Sequence, residues 1–468
     1  MPTLVILLAL IFLVPFISPG QQRCPVVPTE QESKIFEDWL RQKMEAKRLL
    51  FKTYEALSTA QELYTIPVVV HVIHNGEAQG DGTNISNAQI FSQIDVLNED
   101  FRRLNADTIN TPSIFQSVVA DAEIQFELAK RDPEGLPTNG IVRVQGSQAE
   151  WDFGDEDDLK AQSYWPANDY LNMWVANLKS PLLGFATFPI SDLQGLENEF
   201  TNNELLDGIV TGHRFFGSVD KGNFDVLASP FNLGRTTTHE VGHFLGLRHI
   251  WGDGGCSLDD FCDDTPRAED EHISCPTTDL ITCGSRDMYE NYLDFTEDGC
   301  MNIFTLCQRD RMRAVLENSP RRKSLLASNA LVAPTLVSNN MGIRNIISPV
   351  SNICVANFIP GVEVRNYGTN TVTSFRVRVS LDGQTVETLN VSGSLDPLDI
   401  ANITFSDINL GNPGTHMVSY EIINTNGQTD QVASNNLAEI DVVFAAQGFS
   451  TITEQFESLP NDWFVSNP

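Results

Sequence analysis

The stretch "TTHEVGHFLGLRH", Thr237 to His249, sets three histidines and a glutamate into a short run whose other residues, Arg248 apart, are apolar or small. On a helix, residues four apart lie one turn apart on the same face. His239 and His243 therefore present two imidazoles to one point, and Glu240 reaches a water held there. This is the H-E-x-x-H arrangement: two metal ligands and a general base. Here it continues as H-E-x-x-H-x-x-G-x-x-H. Gly246 suits the positive φ that ends a helix and turns the chain, which brings His249 round as a third ligand. Three neutral imidazoles leave the fourth position of Zn2+ open to water, the mark of a catalytic site. The metal lowers the pKa of that water to about 7, and Glu240 takes its proton during attack on a carbonyl. The competing reading is an amphipathic helix with core histidines, its apolar side made by Phe244, Leu245 and Leu247. That reading gives no reason for Glu240, Gly246 and His249 together.

The rest of the chain sets limits on this reading. Its 468 residues call for two or three domains, and 41% hydrophobic content supports real cores. Sixty-two acidic against thirty basic residues give a net charge of −32, which argues against nucleic acid as a partner. The acidity suits a soluble extracellular protein; calcium binding would need clustered carboxylates. The apolar run Leu4–Ile17, broken by Pro15 and ended by Pro19-Gly20, is short for a membrane span and suits a signal-peptide core, although no Lys or Arg precedes it. No later segment is apolar enough to span a membrane. Six of the eight cysteines fall between 256 and 307 without a C-x-x-C pair, so in an exported chain they read as disulfides.

Several elements are legible from periodicity. Residues 21–60 are charged and helical in pattern, with Trp39, Leu40, Met44 and Leu49 as a stripe, and read as a pro-segment or an ordinary N-terminal helix. Tyr64–Asn75 is a continuous β-branched run, a buried strand, in which His71 and His74 are structural. Ile90, Ile94, Leu97, Phe101 and Leu104 recur at helical spacing. Ala122–Asp132 and Tyr170–Leu178 read as further strands, so strands and helices interleave from about 60 to 320. From about 335 short alternating strands with Asn-Tyr-Gly and Asp-Gly turns continue to about Phe444, a β-sandwich of roughly immunoglobulin size.

The extended histidine motif resembles the metzincin clan of zinc peptidases. "GRTTTHEVGHFLGLRHIWGDGGC" (234–256), "DDTP" (263–266) and "NYLDFTEDGCMNIFT" (291–305) are similar, more narrowly, to the pappalysin family and its ulilysin-like members. "IPVVVHVIHN" (66–75), "NISNAQIFSQIDVLNEDFRRLN" (84–105) and "DPEGLPTNGI" (132–141) resemble that family's upstream half. The likeness covers about residues 60 to 320. It implies a metalloendopeptidase with an α/β upper half, an irregular lower half and a cleft between them.

The resemblance also assigns roles. The turn that floors the metal site resembles N-[YF]-M-D-Y, but here it is Asn291-Tyr292-Leu293-Asp294-Phe295. Leu293 replaces a methionine of similar volume, so the floor is expected to survive. Phe295 replaces a tyrosine whose hydroxyl would help stabilise the tetrahedral intermediate, and losing one such donor costs about 10²–10³ in rate. A weakened enzyme is expected, unless Tyr292 or Tyr289 compensates; an inactive one is the other outcome. Asp298 matches a position lining the pocket for the residue after the scissile bond, implying a preference for Arg or Lys there; a solvated loop acid is the alternative. The family pattern implies bridges Cys256–Cys283 and Cys275–Cys300; Cys262 and Cys307 are additional, and a third bridge between them is the simplest completion. Ca2+ is implied around "GDGGCSLDDFCDDTP" (252–266), with Asp260, Asp263 and the Thr265 carbonyl as candidates against a merely solvated loop. Cys24 is placed to occupy the zinc's open position in a latent form, or else to bridge Cys354 or stay free.

The expectation is an α+β, metzincin-type zinc peptidase domain, with a mixed sheet, helices and an irregular lower half, followed by an all-β immunoglobulin-like sandwich. The boundaries expected are a signal peptide at 1–20, a pro-segment at 21–60, the peptidase domain at 61–325, the sandwich at 335–445 and an incomplete further domain at 446–468. The function expected is a secreted zinc endopeptidase acting on protein or peptide substrates. The alternative is a cell-surface or adhesive binding protein with a weak or inactive peptidase-like domain. No ligand is legible for the sandwich.

Overall fold

The structure is a computed structural model that describes residues 30–54, 62–193 and 203–445. The expected signal peptide, Cys24 and the incomplete domain at 446–468 lie outside the described residues. The chain divides into two units, Met1–Ala333 and Pro334–Pro468. No helix among the described residues is long and apolar enough to cross a membrane.

The first unit opens with helix α1 (Glu30–Tyr54), followed by strand β1 (Tyr64–His74) and helix α2 (Asn87–Phe101). The Ser86 side chain caps α2 by accepting from Gln89 N at 3.1 Å. Then come β2 (Ile124–Leu128), β3 (Ile141–Gln145), α3 (Glu156–Ala161), β4 (Leu171–Ala176), β5 (Gly184–Ala186) and β6 (Gly208–Gly212). The sheet order is β2-β1-β4-β6-β5. The length of β1 lets its first half pair with β2 and its second half with β3. These pairs are parallel; β5 alone runs antiparallel, on the outer edge beside β6. Strands covered on both faces need apolar residues without alternation, which explains the buried run Ile66–Ile73. One core joins β1 to Ile90, Ile94, Leu97 and Phe101 of α2. Leu104 departs from the expected stripe: α2 stops at Phe101, Arg103 takes a φ of 50°, and Leu104 is exposed.

Helices α4 (Arg235–Phe244), α5 (Leu306–Asn318) and α6 (Arg322–Leu325) complete the unit. A capping box between Thr305 and Gln308 starts α5. Between α4 and α5 the chain holds only short 3-10 turns, and three disulfides tie it: Cys256–Cys283, Cys262–Cys307 and Cys275–Cys300. Bridges suit such a segment because it has little regular hydrogen bonding of its own. On α1, Phe36, Trp39 and Leu40 pack on Ala314 and Val315 of α5, with Met44 partly buried. Leu49 does not extend this stripe; it is exposed.

The second unit is all-β: β7 (Met341–Ser348), β8 (Asn352–Ile353), β9 (Asn357–Phe358), β10 (Gly361–Asn366), β11 (Val372–Leu381), β12 (Gln384–Leu395), β13 (Ile400–Thr404), β14 (Ile408–Asn409), β15 (Gly414–Thr425) and β16 (Leu437–Phe444). A β13-β10-β7 sheet faces a β12-β11-β15-β16-β8 sheet across one core, which includes Val362, Val364, Phe375, Val377, Val379, Tyr420 and Ile422. Alternation along β11 puts Phe375, Val377 and Val379 inward, the pattern of an immunoglobulin-like sandwich.

Candidate metal centre

Every residue of α4 is buried. Gly234, with a φ of 85°, leads into it, and Gly246, also at 85°, turns the chain out of it. A Cβ on Gly246 would sit 2.8 Å from Val315 Cγ2, so close packing as well as backbone conformation requires glycine there. The turn carries His249 back to the helix. His243 Nε2 lies 3.0 Å from His239 Nε2 and 3.1 Å from His249 Nε2.

The other ring nitrogens decide the tautomers. His239 Nδ1 donates to the Tyr292 carbonyl at 2.8 Å, and His243 Nδ1 to the Leu247 carbonyl at 2.9 Å. His249 Nδ1 donates to Asp253 Oδ1 at 2.5 Å. A carbonyl only accepts, so Nδ1 holds the proton and Nε2 keeps its lone pair. Burial, with the neighbouring His249, pushes His243 down to about 3, so its ring is neutral. Three lone pairs this close repel one another unless a cation lies among them. The donor set therefore fits a zinc ion, whose structural preference is for imidazole nitrogen with a carboxylate or carbonyl behind each ring.

Around the histidines, Trp251 stacks on His249 with centroids 4.4 Å apart. Phe295 lies 4.9 Å from His249 and 5.6 Å from His239. Leu293 packs beneath α4 so closely that a Cβ on Gly242 would be 3.0 Å from its Cδ2. Glu240 is fully buried, and a Cβ on Gly184 of β5 would come within 3.1 Å of its Oε1. The structure thus gathers His239, His243, His249, Glu240, Leu293 and Phe295 at one place.

Of the two tyrosines named as substitute hydroxyls, Tyr292 has its proton committed and Tyr289 has its oxygen held by a guanidinium. The Tyr292 hydroxyl donates to Asp100 Oδ1 at 3.1 Å, and Tyr289 Oη accepts from Arg286 Nη2 at 2.9 Å. Asp100 is a residue that the sequence did not disclose. Fully buried on α2, it also accepts from Thr238 Oγ1 at 2.7 Å and pairs with Arg235 Nε at 3.0 Å. Burial pushes its carboxyl up to about 7 against the pull of Arg235, Thr238 and Tyr292. It joins α2, the start of α4 and the turn below the histidines. Asp253 belongs to the acidic loop 252–266 already singled out for Ca2+, and what the sequence reading lacks is its pairing with His249, although its place four residues on was a readable signal.

Asp298 is fully buried, and its Oδ2 accepts from Leu233 N at 2.9 Å and Arg235 N at 3.2 Å. That excludes the solvated-loop alternative. On the acidic loop, Asp260 is buried and its Oδ1 accepts from Cys262 N at 3.0 Å and Thr265 Oγ1 at 2.7 Å, whereas Asp263 is exposed. Cys354 is exposed and unbridged among the described residues.

With this geometry in hand, the likeness to known proteins becomes specific. Residues 222–317 match a family model described as "Pregnancy-associated plasma protein-A". An extracellular metalloprotease of Arthroderma benhamiae is 28% identical over 300 residues, which cover 63% of this chain and 90% of that protein. One from Arthroderma otae is 34% identical over 221 residues, covering 42% of this chain and 75% of that protein. Mature mirolysin of Tannerella forsythia, solved with a cleaved peptide, aligns along 100% of its length with 59% of this chain, at 41% identity and a TM-score of 0.52. A promirolysin mutant from the same organism aligns with 67% of this chain at 36% identity and a TM-score of 0.53. A histidine frame of this kind, on a fold shared with the full length of mirolysin, makes the chain a member of the pappalysin family of metzincin zinc metalloendopeptidases.

Proposed function

We propose that this secreted metalloendopeptidase hydrolyses peptide bonds at a zinc held by His239, His243 and His249, with Glu240 as general base. The carrying observation is the convergence of three imidazoles, with His243 Nε2 3.0 Å from His239 Nε2 and 3.1 Å from His249 Nε2, each with Nδ1 tied to an acceptor. A bound zinc supplies a Lewis acid and brings its water to a pKa of about 7. Glu240 takes the proton from the attacking water and delivers it to the leaving amine. Its burial in a closed site strengthens both transfers by excluding bulk water. Edge strand β5 runs beside Glu240 and offers its main chain to an extended peptide.

Asp298 is proposed to select Arg or Lys after the scissile bond, supported by its full burial at the amino end of α4. Ca2+ is proposed on the loop of Asp260, Asp263 and Thr265, supported by the inward carboxylate of Asp260. Residues 21–60 are proposed as a pro-segment that keeps the enzyme latent, with Cys24 reaching the zinc. Its support is that α1 packs on α5 and that Glu37 pairs with Arg248, next to His249.

One assay tests the set. The processed protein should cut Arg-containing peptides, and Glu240→Ala should lose about 10²–10⁴ in kcat while keeping its zinc. Unchanged activity in Glu240→Ala would overturn the mechanism; equal cleavage before Leu and Arg would remove the role of Asp298. Calcium chelation should lower thermal stability and activity, restored by Ca2+ and not by Zn2+.

A further inference from the structure

His272 is the one histidine of the lower half outside the metal frame, and it lies half-buried between two buried carboxylates. Its Nδ1 donates to Asp294 Oδ2 at 2.6 Å, and its backbone N–H donates to Asp294 Oδ1 at 2.9 Å. On the other side its Nε2 lies 3.3 Å from Asp287 Oδ2. Both nitrogens thus face acceptors, an arrangement that suits an imidazolium, because a neutral ring donates from only one.

The contact reaches the metal centre through one short piece of chain. Asp294 belongs to the turn Asn291–Phe295 that floors the site. Its neighbours make the contacts below the histidines: Tyr292 accepts from His239 Nδ1, Leu293 packs under Gly242, and Phe295 stands against His249. Asp294 Oδ1 also accepts from Phe295 N at 2.7 Å. Whatever holds the Asp294 carboxylate holds this turn. The loop bearing His272 is itself anchored by the Cys275–Cys300 and Cys256–Cys283 bridges on either side. Asp287 is fixed from its own segment by Thr282, whose Oγ1 donates to it at 2.9 Å.

We propose that His272, in its protonated form, is a positioning residue that clamps the turn beneath the metal site, so that its deprotonation loosens the turn and lowers turnover. The proposal rests on the peptidase reading and adds a pH-dependent control to it.

The electrostatics agree with the geometry. The groups facing the ring are Asp294 from the turn, Asp287 from the preceding segment and Asp270 from its own loop, beside Glu271. The Tyr289 ring stands 5.9 Å away, and Arg286 on that segment is engaged by Glu290 and Asp279. Burial alone would push His272 down, but the hydrogen bond and charge of Asp294, followed by Asp287, hold it above the usual histidine range. A raised folded-state pKa means that its contribution is fully present below about 6.5 and is lost as pH rises through the folded value.

The test needs two readouts. In the full-length Glu240→Ala protein, NMR titration of labelled histidines should show His272 titrating above the unperturbed value of about 6.5. In Asp287→Asn it should titrate lower than in the parent, because one of the two carboxylates has lost its charge. In the active enzyme, kcat should fall along an alkaline limb that Asp287→Asn moves to lower pH. His272→Gln should lower kcat at pH 7 by about 10–100-fold with little change in KM and with zinc retained. A His272 that titrates at or below the unperturbed value overturns the proposal whether or not the protein cleaves peptides. So does a His272→Gln enzyme whose kcat profile superposes on the parent's. An inactive parent in which His272 still titrates high would refute the peptidase reading instead.

Discussion

Phe295 stands against His249 and His239, with ring centroids 4.9 Å and 5.6 Å away, at the position where the family turn carries a tyrosine. A hydroxyl there would be a preorganised donor for charge that develops only in the transition state. Of the nearby tyrosines, Tyr292 donates its hydroxyl proton to Asp100, and the Tyr289 oxygen accepts from Arg286. We expect Phe295→Tyr to raise kcat, by up to about 10²-fold, with KM little changed. Steady-state kinetics on an Arg-containing peptide checks this. An unchanged kcat would mean that another donor already serves the intermediate.

Helix α1 is held by a charge arrangement that its sequence pattern does not reveal. Glu37 is buried and pairs with Arg248 Nε at 2.7 Å and Arg311 Nη1 at 2.7 Å. Burial alone would raise its pKa, yet the two guanidiniums hold it below the usual carboxylate range. Arg311 Nη2 also donates to the Gly246 carbonyl at 3.0 Å, so the helix is linked to the turn that delivers His249. Removing one partner of a buried ionic group leaves charge uncompensated, at a cost of about 3–5 kcal/mol. Glu37→Ala should therefore release α1, seen as faster hydrogen exchange across residues 34–49, with the sheet unaffected. The sign with pH follows: a carboxylate held low stabilises at neutral pH, and that contribution is lost as pH falls through its lowered value.

The whole molecule is two units with separate cores. The first is centred on β1, α2 and α4, and the second lies between the two sheets of the sandwich. A unit with its own core is able to fold alone. Chain ending at Ala333 should keep kcat/KM within about twofold of the full-length enzyme and retain a cooperative thermal transition. A collapse of activity on this truncation would assign the sandwich a part in catalysis.

Much of this protein was decided locally and so was readable from sequence. The spacing His239–His243–Gly246–His249 fixes a helix, a turn and three converging imidazoles, because helical pitch and a positive φ are properties of adjacent residues. The unbroken apolar run of β1 likewise determined a strand covered on both faces, and the alternation on β11 determined a sandwich strand. Leu104 and Leu49 were misread for the same reason: periodicity persists past the residue at which an element ends or stops being covered. Asp100, Asp253, Glu37 and the pairing of His272 with Asp287 and Asp294 belong to another class. A polar residue shows its role only through its partner, and most of these partners lie far along the chain, from 15 residues for His272–Asp287 to 274 for Glu37–Arg311. Sequence determined which atoms could bind the metal; the tertiary structure decided what holds those atoms still, because buried charge is satisfied across elements and not along them.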